Sequence, residues 1–180
     1  MHNTDNRYGW LSILLHWLVA LIVFGLFTLG YWMVDLGYYD IWYQKAPDLH
    51  KSIGICLFLI MLFRVIWRIK QIKPMPVATH SSLEKKLGHW IHILLYTLLF
   101  IIILSGYLIS TADDRGIEVF ELFLLPSMGS LIENQEDIAG QIHQYGAYLV
   151  ITAAILHALA ALKHHYIDKD TTLKRMLGIK

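Results

Sequence analysis

The chain has 180 residues, 56% of them hydrophobic and 16% charged, with a formal net charge of +1 and a mean hydropathy of +0.49. Soluble domains carry more charge, so this composition excludes an ordinary globular enzyme and points to a membrane protein. No basic patch with interleaved aromatics suggests nucleic acid. The single cysteine, Cys56, excludes an intrachain disulfide or a cysteine-held cluster.

Four apolar stretches reach spanning length. The first, residues 10–34, carries His16 and Trp17. It is too long for a signal-peptide core and has no small-residue cleavage site, so it is read as retained. The second, 49–67, opens at His50 and contains Gly54. Beyond it Lys73-Pro-Met-Pro76 and Val77-Ala-Thr-His80 predict an extended connection, because proline removes a helix donor and restricts its predecessor. Ser81 or Ser82, with Lys85 nearby, predicts a short helical lead-in to the third stretch, 90–111, where His89 and His92 stand at the start. A long connection, 112–139, holds an apolar patch at 119–125 ending at Pro126, suited to the membrane interface or to covering helix ends. The fourth stretch, 138–162, contains His143 and His157 and leads into Lys163, His164 and His165. We find no repeat, and the spans leave no soluble domain of useful size, so residues 1–180 are read as one membrane domain.

Charge orients the spans. Arg64, Arg68, Lys70, Lys73, Lys85 and Lys86 surround the second connection against Glu84 alone, and the tail adds Lys163, Lys169, Lys174, Arg175 and Lys180. The third connection instead carries Asp113, Asp114, Glu118, Glu121, Glu133, Glu136 and Asp137 with only Arg115. Lys and Arg mark cytoplasmic ends, so both termini and the middle loop are expected in the cytoplasm.

Histidines carry the chemistry. His143 and His157 are fourteen residues apart on one stretch; at ~100° per residue both project from one helix face, and at ~1.5 Å per residue they are about 21 Å apart along the axis. Imidazoles at membrane depth are costly and default to a functional reading. Depth pairs His16 with His157 near the cytoplasmic side and His50 with His143 near the external side, each pair drawn from two helices, as a haem wedged in a bundle requires. Bis-imidazole ligation suits a b-type haem that transfers electrons, and the absence of Cys-x-x-Cys-His excludes covalent attachment. His89 and His92 compete with His16 for the inner iron. His2 and His80 fall in solvent-facing segments and are read as inert. His164 and His165, at headgroup level, suit either a quinone carbonyl or an interfacial anchor. Gly25, Gly54 and Gly146 mark places where a macrocycle or a neighbouring helix comes close. Arg64 or Arg68 is read as neutralising a haem propionate or lipid phosphate, or as anchoring the helix end. Zinc transport is disfavoured, because the histidines divide into two layers and the spans hold no internal Asp or Glu.

These residues resemble the bacterial cytochrome b561 family over almost the whole chain. The resemblance rests on Leu15-His16-Trp17, Leu49-His50-Lys-Ser-Ile-Gly54, Arg64-Val-Ile-Trp-Arg68, Gly88-His89-Trp-Ile-His92 with Tyr96, His143, Leu156-His157-Ala158, Lys163-His-His-Tyr166 and Lys169-Asp-Thr-Thr-Leu173. It implies an all-α four-helix bundle in the bacterial inner membrane holding two haem b groups, with His16, His50, His143 and His157 as axial ligands. Characterised relatives oxidise periplasmic superoxide and reduce ubiquinone, which implies a superoxide:ubiquinone oxidoreductase with the quinone near Trp17 and His164, and also near His165 and Lys169. The competing expectation is a relay cytochrome between a dehydrogenase or hydrogenase and the quinone pool, without catalysis of its own. For an anionic donor the external side offers only Lys45, Lys51 and Arg115 as basic residues; its acidity suits docking of a basic protein equally.

Overall fold

The computed structural model describes residues 2–77 and 79–179. Four helices are long and apolar enough to cross a membrane: α1 (Trp10–Met33), α2 (Lys45–Lys70), α3 (Ser82–Ser110) and α4 (Gln135–Tyr166). A two-stranded antiparallel hairpin, β1 (Ile117–Val119) and β2 (Phe123–Leu125), precedes α4, and a short α5 (Thr172–Leu177) ends the chain. The fold is mostly helical, as expected, with the hairpin as an addition. Large apolar side chains face outward along every long helix, among them Leu21, Leu59, Ile101 and Leu149. In water such a surface would aggregate; in lipid it is the solvated face.

Three of the helices run several residues beyond their apolar stretches, because their ends are built from polar turns. α2 begins at Lys45 rather than 49; Pro47 sits in its first turn, where a missing N–H costs nothing, and Asp48 faces the positive end of the dipole. α3 starts eight residues before Trp90 as one continuous helix rather than a separate lead-in. Its start is a reciprocal cap: the Ser81 N–H donates to Glu84 Oε2 at 2.9 Å and the Glu84 N–H to Ser81 Oγ at 3.3 Å. α4 gains Glu136 and Asp137 in its first turn and Lys163, His164 and His165 in its last, each sign matched to the dipole. The connection at 73–77 lacks regular structure, as its prolines predict; Ala78 and Lys180 lie outside the described residues.

The described chain forms two compact units, and each long helix contributes to both. The first contains residues 1–20, 60–97 and 152–180; the second contains 21–59 and 98–151. In the first, the N-terminal segment folds over the exit of α2. Asn3 Oδ1 accepts from the Gly9 N–H and Ser12 hydroxyl, at 2.8 Å each, while the Asn3 N–H donates to Gln71 Oε1 at 3.0 Å. His2 is exposed, as expected, and stacks on Trp67 with ring centres 5.3 Å apart.

In the second unit the apolar patch at 119–125 is the hairpin itself. Phe120 and Glu121 both adopt positive φ, 49° and 59°, in its turn, and the Leu122 N–H closes it on Val119 O at 2.9 Å. The Phe120 N–H also donates to the buried Ser52 hydroxyl of α2 at 3.0 Å. Ser52→Ala leaves that part-buried N–H without its side-chain acceptor, a cost of about 1 kcal/mol. Amide exchange at residues 117–125 is expected to accelerate in this variant while exchange in the first unit stays unchanged.

Candidate functional site: paired histidines in each unit

In the first unit, His16 of α1 and His157 of α4 face each other with ring centres 6.3 Å apart and planes 73° apart. His92 of α3 stands closer to His157, at 5.0 Å, and its Nδ1 is 2.6 Å from Gly88 O one turn back. His89 lies on the exposed side of the same helix, against Trp90.

Arg64 of α2 is the hub of this cluster. Its Nη2 donates to His16 Nδ1 at 3.0 Å, its Nη1 to Leu15 O at 3.2 Å and its Nε to the Tyr96 hydroxyl at 2.9 Å. Arg68 lies over the Tyr96 ring, 5.4 Å from its centre. Arg64 is therefore no mere helix-end anchor: its planar fork joins three helices, which a lysine's point charge cannot do. With Nδ1 of His16 accepting, the neutral ring carries its proton on Nε2, facing away from the guanidinium.

The second unit repeats the pairing. His50 of α2 and His143 of α4 have ring centres 6.1 Å apart and planes 69° apart. The His143 Nδ1–H donates to Ile102 O at 2.8 Å, leaving Nε2 free as an acceptor or ligand. His50 Nδ1 is buried and makes no hydrogen bond among the described residues. Buried polar atoms without partners are rare enough to call for an explanation.

Two glycines absent from the sequence-level candidates press on these rings. A Cβ on Gly30 would stand 3.1 Å from His50 Cε1, and one on Gly106 3.0 Å from His143 Cε1. Of the glycines singled out from sequence, Gly146 is a helix contact, where a Cβ would meet Ile102 Cγ2 at 2.6 Å, whereas Gly25 and Gly54 meet nothing within 4 Å. A histidine's glycine cushion is legible only once the partner helix is known. Gly106→Val is expected to displace His143 and lower binding of any group held by that pair, leaving the His16–His157 pair intact. Absorbance of the two sites checks this.

The remaining sequence candidates gather in the first unit. The Trp17 indole Nε1–H donates to Met176 O of α5 at 2.8 Å. His164 Nδ1 is 2.7 Å from Asp168 Oδ2, and Lys163 joins Asp168 and Glu84, at 2.7 and 2.9 Å. His165 meets Tyr166 edge to face, and its buried Nδ1 has no partner among the described residues. Lys169 is exposed and adopts a positive φ of 55° at the bend into α5. His80, expected to be inert in solvent, instead bonds the buried Asp170 at 2.7 Å. Sequence reading missed Asp170 because its partner lies 90 residues earlier. Burial opposes the charge on Asp170, but hydrogen bonds from the Thr172 N–H, His80 and the Thr172 hydroxyl outweigh it and hold the carboxyl below its usual range.

Four apolar spans carrying two facing imidazole pairs are consistent with a four-helix membrane cytochrome of the b561 class. The chain belongs to the prokaryotic cytochrome b561 family, whose model matches residues 7–178. It is similar to cytochrome b561 homolog 2 of Escherichia coli K12, 50% identical over 98% of this chain and 94% of the relative. It is also similar to a probable superoxide oxidase, CybB, of Yersinia pestis, 29% identical over 97% and 98% of the two chains. Cytochrome b561 homolog 1 of E. coli K12 is likewise 29% identical, over 96% and 97%. Membership makes this a multi-pass bacterial inner-membrane protein of electron transport, in a family that normally binds haem b.

Proposed function

We propose that the protein holds two b haems and transfers electrons between an external donor, superoxide in the first reading, and ubiquinone on the cytoplasmic side. The carrying observation is the spacing of the two histidine pairs. A metal–imidazole bond of about 2 Å, with about 1.1 Å more from nitrogen to ring centre, sets two rings on one iron about 6.2 Å apart. The pairs His16–His157 and His50–His143 stand at 6.3 and 6.1 Å, whereas His92–His157, at 5.0 Å, is too close. When bound, each haem would supply a one-electron carrier.

The protein's residues then have defined tasks. His16 and His157 would hold the inner haem, His50 and His143 the outer. Arg64 would fix the orientation of the His16 ring, and the Ile102 carbonyl that of His143. For the quinone, Trp17, His164, His165 and Lys169 form the candidate set. All four belong to the first unit, where Trp17 bonds Met176 O of the Lys- and Arg-containing tail, and the exchangeable imidazole protons of His164 and His165 suit a carbonyl that gains protons as it is reduced.

One observation favours the relay reading as a second possibility. Of the basic residues available to attract superoxide, Lys51 pairs with Asp48 at 2.8 Å and Arg115 with Asp113, at 2.6 Å through Nε. Hydrogen bonds from Arg115 hold the Asp113 carboxyl below its usual range, so that pair stays neutralised at physiological pH. An acidic face of this kind would dock a basic protein donor. A haem-to-protein ratio with reduced-minus-oxidised spectra, using superoxide as reductant with and without ubiquinone, tests both. Two b haems reduced by superoxide and reoxidised by quinone support the oxidase. Two haems left oxidised by superoxide favour the relay, and a colourless protein overturns both readings.

A further inference from the structure

His80, His164 and Asp170 come from three separate places: the connection between α2 and α3, the last turn of α4, and the bend before α5. They converge nonetheless. His80 Nε2 is 2.7 Å from Asp170 Oδ2, His164 Nδ1 is 3.5 Å from the same oxygen, and one donor atom from each residue lies within 4.8 Å of the others. The imidazole centres are only 4.3 Å apart. All three side chains are withdrawn from water, with 15%, 13% and 2% of their surface exposed.

The two carboxylate oxygens of Asp170 have different partners. Oδ1 accepts the Thr172 N–H at 2.7 Å and so secures the entry to α5, whereas Oδ2 alone faces the imidazoles. His164 Nδ1 has Asp168 Oδ2 as its nearest partner, at 2.7 Å, and still lies 3.5 Å from Asp170 Oδ2, so two imidazoles and two carboxylates form one contiguous set of donor atoms.

We propose that His80, His164 and Asp170 bind one divalent transition-metal ion of the zinc class. Two imidazole nitrogens and a carboxylate oxygen are the donors that such an ion takes, while calcium and magnesium prefer all-oxygen sites. Tetrahedral coordination at bond lengths of about 2.0–2.2 Å separates neighbouring donors by about 3.3 Å. The observed 2.7 and 3.5 Å bracket that value, and the two imidazole donors lie within 4.8 Å of each other, so drawing the imidazoles together admits the ion. Asp168 Oδ2, 2.7 Å from His164 Nδ1, or water supplies the fourth ligand. An ion there occupies a nitrogen of His164 and links the 77–80 connection to the tail. Where His164 serves quinone, the ion slows quinone reduction; this consequence, unlike the site, rests on the proposed function.

The test is zinc titration of the purified, haem-loaded full chain against a chromogenic chelator, with zinc-edge X-ray absorption to identify the ligands. One ion per chain with two imidazoles is expected. His80→Gln and Asp170→Asn should each weaken binding by more than the roughly 10–100-fold typical of losing an outer partner, while His2→Gln binds as the parent does. His80→Gln keeps the Asp170–Thr172 bond, and an unchanged haem spectrum and far-UV circular dichroism verify the fold of each variant. No zinc binding by the parent, equal binding by the parent and both ligand variants, or zinc without imidazole ligands would overturn the site and leave a hydrogen-bonded tether only. Zinc bound with quinone reduction unaffected upholds the site and overturns the assignment of His164 to the quinone.

Discussion

Replacing His143 with alanine is expected to remove one haem and spare the other, so that pyridine haemochrome analysis gives one haem per chain where the parent gives two. His50→Ala should give the same spectrum, because an iron that keeps one axial imidazole in an apolar cleft loses the bond that fixed its position. The pairs are expected to behave independently: His50 and His143 lie in the unit of residues 21–59 and 98–151, whereas His16 and His157 lie in the other. His16→Ala and His157→Ala should therefore remove the remaining haem, and the difference spectra of the two sets should sum to that of the parent. Retention of the inner haem in His16→Ala, with its loss in His92→Ala, would reverse the inner pairing argued from the 6.3 and 5.0 Å separations.

Arg64→Leu is expected to have the next largest effect. The guanidinium is largely withdrawn from solvent and makes three directed hydrogen bonds, to Leu15 O, His16 Nδ1 and the Tyr96 hydroxyl. Hydrogen bonds to a charged group contribute about 1.5–3 kcal/mol each, and leucine leaves the Tyr96 oxygen without its donor. The sum exceeds what a small helical unit tolerates without loosening. The expected result is loss or marked broadening of the inner-haem signal with the outer signal retained, and a lower melting temperature. Arg64→Lys should recover little, since one ammonium cannot reach all three acceptors, two on α1 and one on α3. Tyr96→Phe, which removes one partner and keeps the ring beneath Arg68, should be milder. Full haem occupancy at both levels in Arg64→Leu would show that His16 is held without its guanidinium partner.

Much of this protein was open to a reader of its sequence. Each of the four spans is a run of apolar side chains long enough to cross lipid, and that signal survives without knowledge of any neighbour. Helix ends were less accessible. The Ser81–Glu84 cap and the acidic first turn of α4 extend helices into stretches that hydropathy alone assigns to loops. The hairpin at 117–125 was read only as an apolar patch, because its pairing depends on two positive-φ residues, Phe120 and Glu121, that are not glycines.

The histidine pairs divide along the same line. Helical rise and charge asymmetry order imidazoles by depth, so His16 could be matched with His157 and His50 with His143 from numbering alone. What numbering cannot supply is rotation and approach. Tertiary structure decided that Arg64 donates to His16, that Gly30 and Gly106 abut the outer imidazoles, and that His80 reaches Asp170 across 90 residues. Spans and depths are local or additive along one helix, and the sequence by itself determined them. Side-chain partnerships depend on how each helix is turned against its neighbours, which is set by packing summed over residues distant in the chain.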